Sequence, residues 1–190
     1  MKKIAITLLA TACFGVMCAA QPRGIGIRTG ATGFDATYQH STKADQFLEA
    51  DLGADFGFNA NGHAGFKATA TYNFIWARPA WTQKGRWGLY AGPGLSIGYV
   101  DDQVSHKLGE GIYNFYENGF MLSIAAQVGV EYSFWFPLNI AIDIRPYFGF
   151  HINEGNIHDP LTGEIIDRKT GFYDNGLLGF APTISVKYTF

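Results

Sequence analysis

W87-G-L-Y-A-G-P-G-L-S-I-G-Y-V100 alternates strictly, and its two faces have little in common. Trp87, Leu89, Ala91, Pro93, Leu95, Ile97 and Tyr99 share one side; Gly88, Tyr90, Gly92, Gly94, Ser96 and Gly98 share the other. Period two with unlike faces marks a β-strand between two different surroundings. Glycine on a water-facing strand weakens it without solvating it. In a narrow closed barrel, small side chains instead leave room for bulky neighbours across the lumen. The glycine face therefore belongs inside, and the apolar face looks out at hydrocarbon.

Seven more segments keep the same rhythm: 24–29, 34–40, 47–58, 64–76, 120–136, 138–151 and about 176–190. In 138–151, Leu138, Ile140, Ile142, Ile144, Phe148 and Phe150 oppose Asn139, Ala141, Asp143, Arg145, Gly149 and His151. In 120–136, the polar face carries Ser123, Gln127, Glu131, Ser133 and Trp135. With strands running alternately up and down, Tyr38, Phe47, Trp76, Trp87, Tyr132, Phe136, Tyr188 and Phe190 collect at one end of the apolar face. Phe56, Phe58, Phe66, Tyr99, Phe120, Phe148 and Phe180 collect at the other, with aliphatic residues between. Two aromatic girdles around an aliphatic band characterise a transmembrane barrel.

Lipid offers the backbone no hydrogen-bond partners, so a spanning sheet must close on itself. The expected fold is all-β: a closed eight-stranded antiparallel up-and-down transmembrane β-barrel, with both termini on one side. Pro93 lacks a ladder donor, so a bulge or local distortion is expected there.

The N-terminus sets the compartment. M1-K-K3, the apolar run I4-A-I-T-L-L-A-T-A-C-F-G-V-M17 and the small C18-A-A20 read as a secretory signal peptide cleaved after Ala20. A lipoprotein signal at Cys13 or Cys18 is the rival reading. The expected organisation is a signal peptide, 1–20, and one barrel domain, 21–190. After residue 20 there is no cysteine, and twelve Lys and Arg stand against sixteen Asp and Glu. That excludes a disulfide framework and a thiol metal site, and leaves no basic footprint for nucleic acid.

These features, ending in the strand I184-S-V-K-Y-T-F190, resemble the small eight-stranded outer-membrane barrels, the OmpX and OmpA transmembrane-domain type. The resemblance implies the outer membrane of a Gram-negative bacterium, with periplasmic termini and long loops outside. It implies contact with outer-membrane lipid and lipopolysaccharide. It also implies that Phe190, with Tyr188, is the signal read by the barrel assembly machinery.

Parity places Arg28, Lys67, Arg145 and Lys187 in the lumen with Asp35, Glu49, Asp51, Asp55, Glu131 and Asp143. Isolated buried ions cost several kcal/mol each, so these must pair. Arg145 is expected to bridge Glu131 and Asp143, with Arg28 and Lys187 nearby across the closing seam. Such a network fills the barrel; a small channel is the alternative.

No catalytic residue, metal or cofactor is assigned. A lipid A-modifying enzyme would need a Ser Oγ beside a His that a carboxylate holds. Of His40, His63, His106, His151 and His158, only His151 falls on the lumen face at the mouth, with no serine beside it. Asp101 with Asp102, or Asp167 with Asp174, would be the Ca²⁺ candidates, but no spacing matches an EF-hand loop. The long stretches 101–119 and 152–175 are rich in Tyr, Asn and Phe and are candidate loops for an extracellular ligand. The expected function is a non-enzymatic outer-membrane protein whose loops serve surface contact or envelope integrity.

Overall fold

The computed structural model describes residues 22–56, 64–108, 111–153, 157–158, 165–166, 170–174 and 179–190; side chains are described for 22–56, 64–100, 119–152, 172 and 179–190. The expected signal peptide, the dipeptide Asn61-Gly62 whose composition suits a hairpin turn, Phe58 and Asp167 lie outside the described residues.

Six uninterrupted strands build most of the wall: β1 (Arg23–Thr29), β2 (Gly33–Lys43), β3 (Gln46–Asp55), β4 (Gly65–Ala77), β5 (Arg86–Leu108) and β6 (Gly111–Ser133). The seventh stave is β7 (Leu138–Ile144) followed by β8 (Tyr147–Asn153). Both pair with β6 in one register, Val128 opposite Ile144 and Ala125 opposite Tyr147, so Pro146 interrupts the ladder without shifting it. Two short strands, β9 (Ile157–His158) and β10 (Ile165–Ile166), pair only with each other. The eighth stave is split between β11 (Thr170–Asp174), on β8, and β12 (Thr183–Thr189), on β7. Here the sequence expectation of one strand from about Gly176 was too long. Gly179 and Phe180 form a single helical turn, and Pro182, with no N–H to give, stands just before β12.

Closure comes at β1 and β12, which pair from Gly24 opposite Thr189 to Thr29 opposite Ile184. Arg23 and Phe190 extend that seam, each backbone N–H donating to the other's carbonyl at 3.0 and 2.8 Å. Both ends of the described chain therefore sit at one mouth, called here the terminal mouth. Gly26 sits in the middle of the seam and faces the lumen. A Cβ there would collide with the Val186 carbonyl oxygen and lie 2.7 Å from Lys187 Cα, whereas one on Gly24 would meet nothing closer than 3.6 Å. Gly26→Ala is accordingly expected to destabilise the barrel by about 1–3 kcal/mol, an overpacking cost, while Gly24→Ala stays near neutral. Urea titration of the folded protein in lipid vesicles reads both.

The expectation about the first long loop needs amendment, and the one about Pro93 holds. The stretch 101–119 is a hairpin rather than a loop: β5 and β6 stay paired without a break from Arg86 opposite Ser133 to Leu108 opposite Gly111. The alternation in the sequence vanishes past Val100, where β5 pairs with β6 alone. A two-period pattern reports unlike surroundings and not the ladder itself. Pro93 does disturb the wall, but mildly. Between Thr71 opposite Gly94 and Phe74 opposite Ala91 the β4–β5 ladder lacks pairs, with no change of register; the shift itself comes at Ile75 and Ala77.

Burial is inverted relative to a water-soluble domain. Among the described residues, Ile27, Leu52, Leu95, Ile124 and Ile142 are exposed on the outer wall, while Arg28, Glu49, Gln127, His151 and Lys187 are buried within it. Two aromatic placements differ from expectation. Phe47 is buried, since it shares parity with Glu49 and Asp51, and its ring meets Tyr90 edge-on at 5.2 Å. Trp135 is 67% exposed, because β6 ends at Ser133 and parity ends with it.

Candidate functional site in the lumen

Glu49, on β3, is wholly buried and lies at the centre of the lumen. Its Oε1 accepts from the Arg28 guanidinium, from Arg145 Nη2 at 2.9 Å and from Gln127 Nε2 at 2.9 Å. Its Oε2 accepts from Lys187 Nζ at 2.7 Å. Three cations on one carboxylate would repel each other without further anions. Asp143 supplies one, taking Arg28 Nη1 at 2.5 Å on each oxygen; Asp51 supplies the other, taking Arg145 Nη1 at 2.6 Å. Arg28, Arg145 and Lys187 thus balance Glu49, Asp51 and Asp143. Neutral groups extend the network: Tyr90 and Thr183 donate to Asp143 at 2.9 and 2.8 Å, and Thr71 and Asn73 donate to Gln127 Oε1 at 2.6 and 3.0 Å.

This arrangement corrects the expected pairing. The ion pairs of Arg145 run across the lumen to Glu49 and Asp51 rather than along the wall to Glu131 and Asp143. Arg145 follows the last residue of β7, past the hairpin neighbours, and the opposite wall is nearer to its fork. Glu131 lies toward the terminal mouth, where Asn139 Nδ2 donates to it at 3.2 Å. Asp55 and Lys67 form a separate pair at 2.8 Å, with the ammonium 4.8 Å from the centre of the Tyr147 ring. Asp35 is half-buried and lines a small cavity of about 50 Å³ with Arg28, Lys67 and Arg145. Gln127 and Tyr90 were on inward faces in the sequence, and that parity was the signal for their place in the network.

A second cavity of about 440 Å³ opens at the terminal mouth, floored by Phe47 and lined by Gln39, Ser41, Glu131 and Asn139. The charged network separates these two spaces, and Lys187 extends over Phe47, 6.0 Å from its ring centre. His151 is buried with Nε2 3.0 Å from the Val100 carbonyl oxygen, at the mouth opposite the termini. Tyr188 and Phe190 are exposed on the outer wall, their rings stacked at 6.4 Å.

No family model matches the sequence, and no curated protein does. Among solved structures, the N-terminal β-barrel domain of Pseudomonas aeruginosa OprF aligns with a TM-score of 0.50 over 89% of this chain and 96% of that one, at 9% identity. The chain has the fold of the small eight-stranded outer-membrane β-barrels. Neisserial surface protein A (NspA) aligns over 90% of this chain and 95% of its own, at 13% identity and a TM-score of 0.45. A major outer membrane protein of Thermus thermophilus aligns over 90% and 100%, at 9% identity and 0.45. At these identities the likeness concerns the small-barrel fold, and what this barrel does rests on its own residues.

Proposed function

We propose that the chain is a non-enzymatic integral protein of a Gram-negative outer membrane. Its termini face the periplasm, its lumen is filled, and the segments 101–119 and 152–175 meet an extracellular ligand or protect the envelope. One observation carries this reading: ions and amides are buried at the centre of the barrel while its outer wall is aliphatic between aromatic ends. The balanced network around Glu49 supports a plug, since each of its ions has an opposite charge in contact. The fold supports the membrane assignment, and outward Tyr188 and Phe190 on the closing strand are available to the assembly machinery.

Purified protein in a planar bilayer is expected to give no stable conductance steps, and lipid A from cells with and without the gene is expected to have the same acyl composition. Stable steps would replace the plug with a channel. A change in acylation would replace the non-enzymatic reading with a lipid A-modifying one.

A further inference from the structure

We propose that the rim of the terminal mouth is a binding surface for anionic phospholipid headgroups. This rests on the membrane reading above and adds a lipid preference to it.

Charge is divided unevenly between the two ends. At the terminal rim, Arg23, Lys43, Arg78, Lys84 and Arg86 stand against Asp45, with Glu131 set back in the vestibule. Asp45 is occupied by Arg78 Nε at 2.9 Å, which leaves a surplus of four positive charges around the rim. At the far end, the segments 101–119 and 152–175 contain nine acids and three Lys or Arg.

Tryptophan is divided the same way. The chain has four, Trp76, Trp81, Trp87 and Trp135, and each is at the terminal end of its stave or in a turn there. The far girdle has no Trp; it is built of Phe with Tyr99. Trp and Tyr favour the membrane–water boundary, where an amphipathic ring sits at headgroup depth. Basic groups beside them are attracted to anionic lipid at that same depth.

The turn between β4 and β5, unusually long for this side, is braced to present these groups. The Lys84 carbonyl accepts from Thr82 Oγ1 at 2.8 Å and from the Tyr132 hydroxyl at 2.7 Å, while Trp87 Nε1 donates to Thr82 at 3.1 Å. Gly85 takes φ +73° with the Tyr132 ring against it. Trp81 packs on Trp87 at 5.2 Å, and Trp87 on Tyr132 at 4.7 Å. Lys84 Nζ stands 5.6 Å above the Trp135 ring. An ammonium fixed over an exposed indole, beside a wall that faces acyl chains, is where a lipid phosphate would sit. The apolar continuity of this surface with the outer wall favours lipid over a soluble anion.

The tryptophans make the test direct, because all four report from this end. Protein folded into phosphatidylcholine vesicles would be titrated with brominated phosphatidylglycerol or brominated phosphatidylcholine, and tryptophan quenching followed. The glycerol lipid is expected to quench at several-fold lower mole fraction. That preference should fall by up to roughly five-fold in Lys84→Gln, and further in Lys43→Gln/Lys84→Gln, from the attraction each cation adds near an anionic surface. It should weaken in high salt. Lys107→Gln, at the far end, should retain it. Equal quenching by the two lipids in the natural protein, or an undiminished preference in both rim variants, would overturn the proposal. Heat-modifiable gel mobility confirms that each variant is folded. Failure of the natural chain to insert would instead overturn the membrane reading beneath it.

Discussion

Glu49→Gln is expected to destabilise the barrel by about 3–5 kcal/mol, the range for breaking a buried ion pair by removing one partner. The substitution preserves shape and an acceptor oxygen but removes the charge on which three cations converge. Its consequences are unequal among them. Arg28 keeps Asp143 and Arg145 keeps Asp51, whereas Lys187 has its ion pair with Glu49. The stranded ammonium should therefore account for most of the loss. Lys187→Met in the Glu49→Gln background, which removes that charge at similar volume, should recover more than half of the stability. Lys187→Met alone should cost only about 1 kcal/mol, since Glu49 retains both guanidinium groups. Urea titration in lipid vesicles, followed by tryptophan fluorescence, measures all three. A double variant as weak as Glu49→Gln alone would show that the network is not organised around this carboxylate.

The sequence was legible wherever the two faces of a strand meet different media. Gly88 to Gly98 against Leu89 to Ile97 fixed inside and outside, and the same parity put Arg28, Glu49, Asp143 and Lys187 on lumen positions. Parity fails at strand ends, where it has no ladder to follow, as at Trp135, whereas at Phe47 it holds, since that ring shares the lumen face of Glu49 and Asp51. It was silent past Val100, where β5 pairs with β6 alone. The partners within the lumen are not legible in the sequence for a different reason. Chain proximity ranks the hairpin neighbours Glu131 and Asp143 first for Arg145. In a narrow barrel, a long side chain reaches the opposite wall as easily as the adjacent strand. Which carboxylate it finds depends on the stagger of all eight staves, information held in the closed register and not in any one segment.

The outer wall carries the second large effect. Leu95 is 63% exposed near the middle of β5, opposite Ala70 and Ile124 on the flanking strands. In a water-soluble barrel, Leu95→Arg would be almost silent, since an exposed surface position tolerates a charge within about 0.5 kcal/mol. In hydrocarbon, the same substitution should cost about 2–4 kcal/mol at the midplane, falling to about 0–1 kcal/mol near the boundary. Trp76→Arg, on an exposed site at the terminal girdle, provides the shallow counterpart, apart from any packing its ring contributes. The difference between these two positions isolates depth from the chemistry of arginine itself. Equilibrium urea titration in vesicles should place Leu95→Arg well below the natural protein and Trp76→Arg closer to it. Equal and small losses at both sites would mean that the exposed aliphatic band faces water, and the buried charges of the lumen would then need an explanation other than exclusion from lipid.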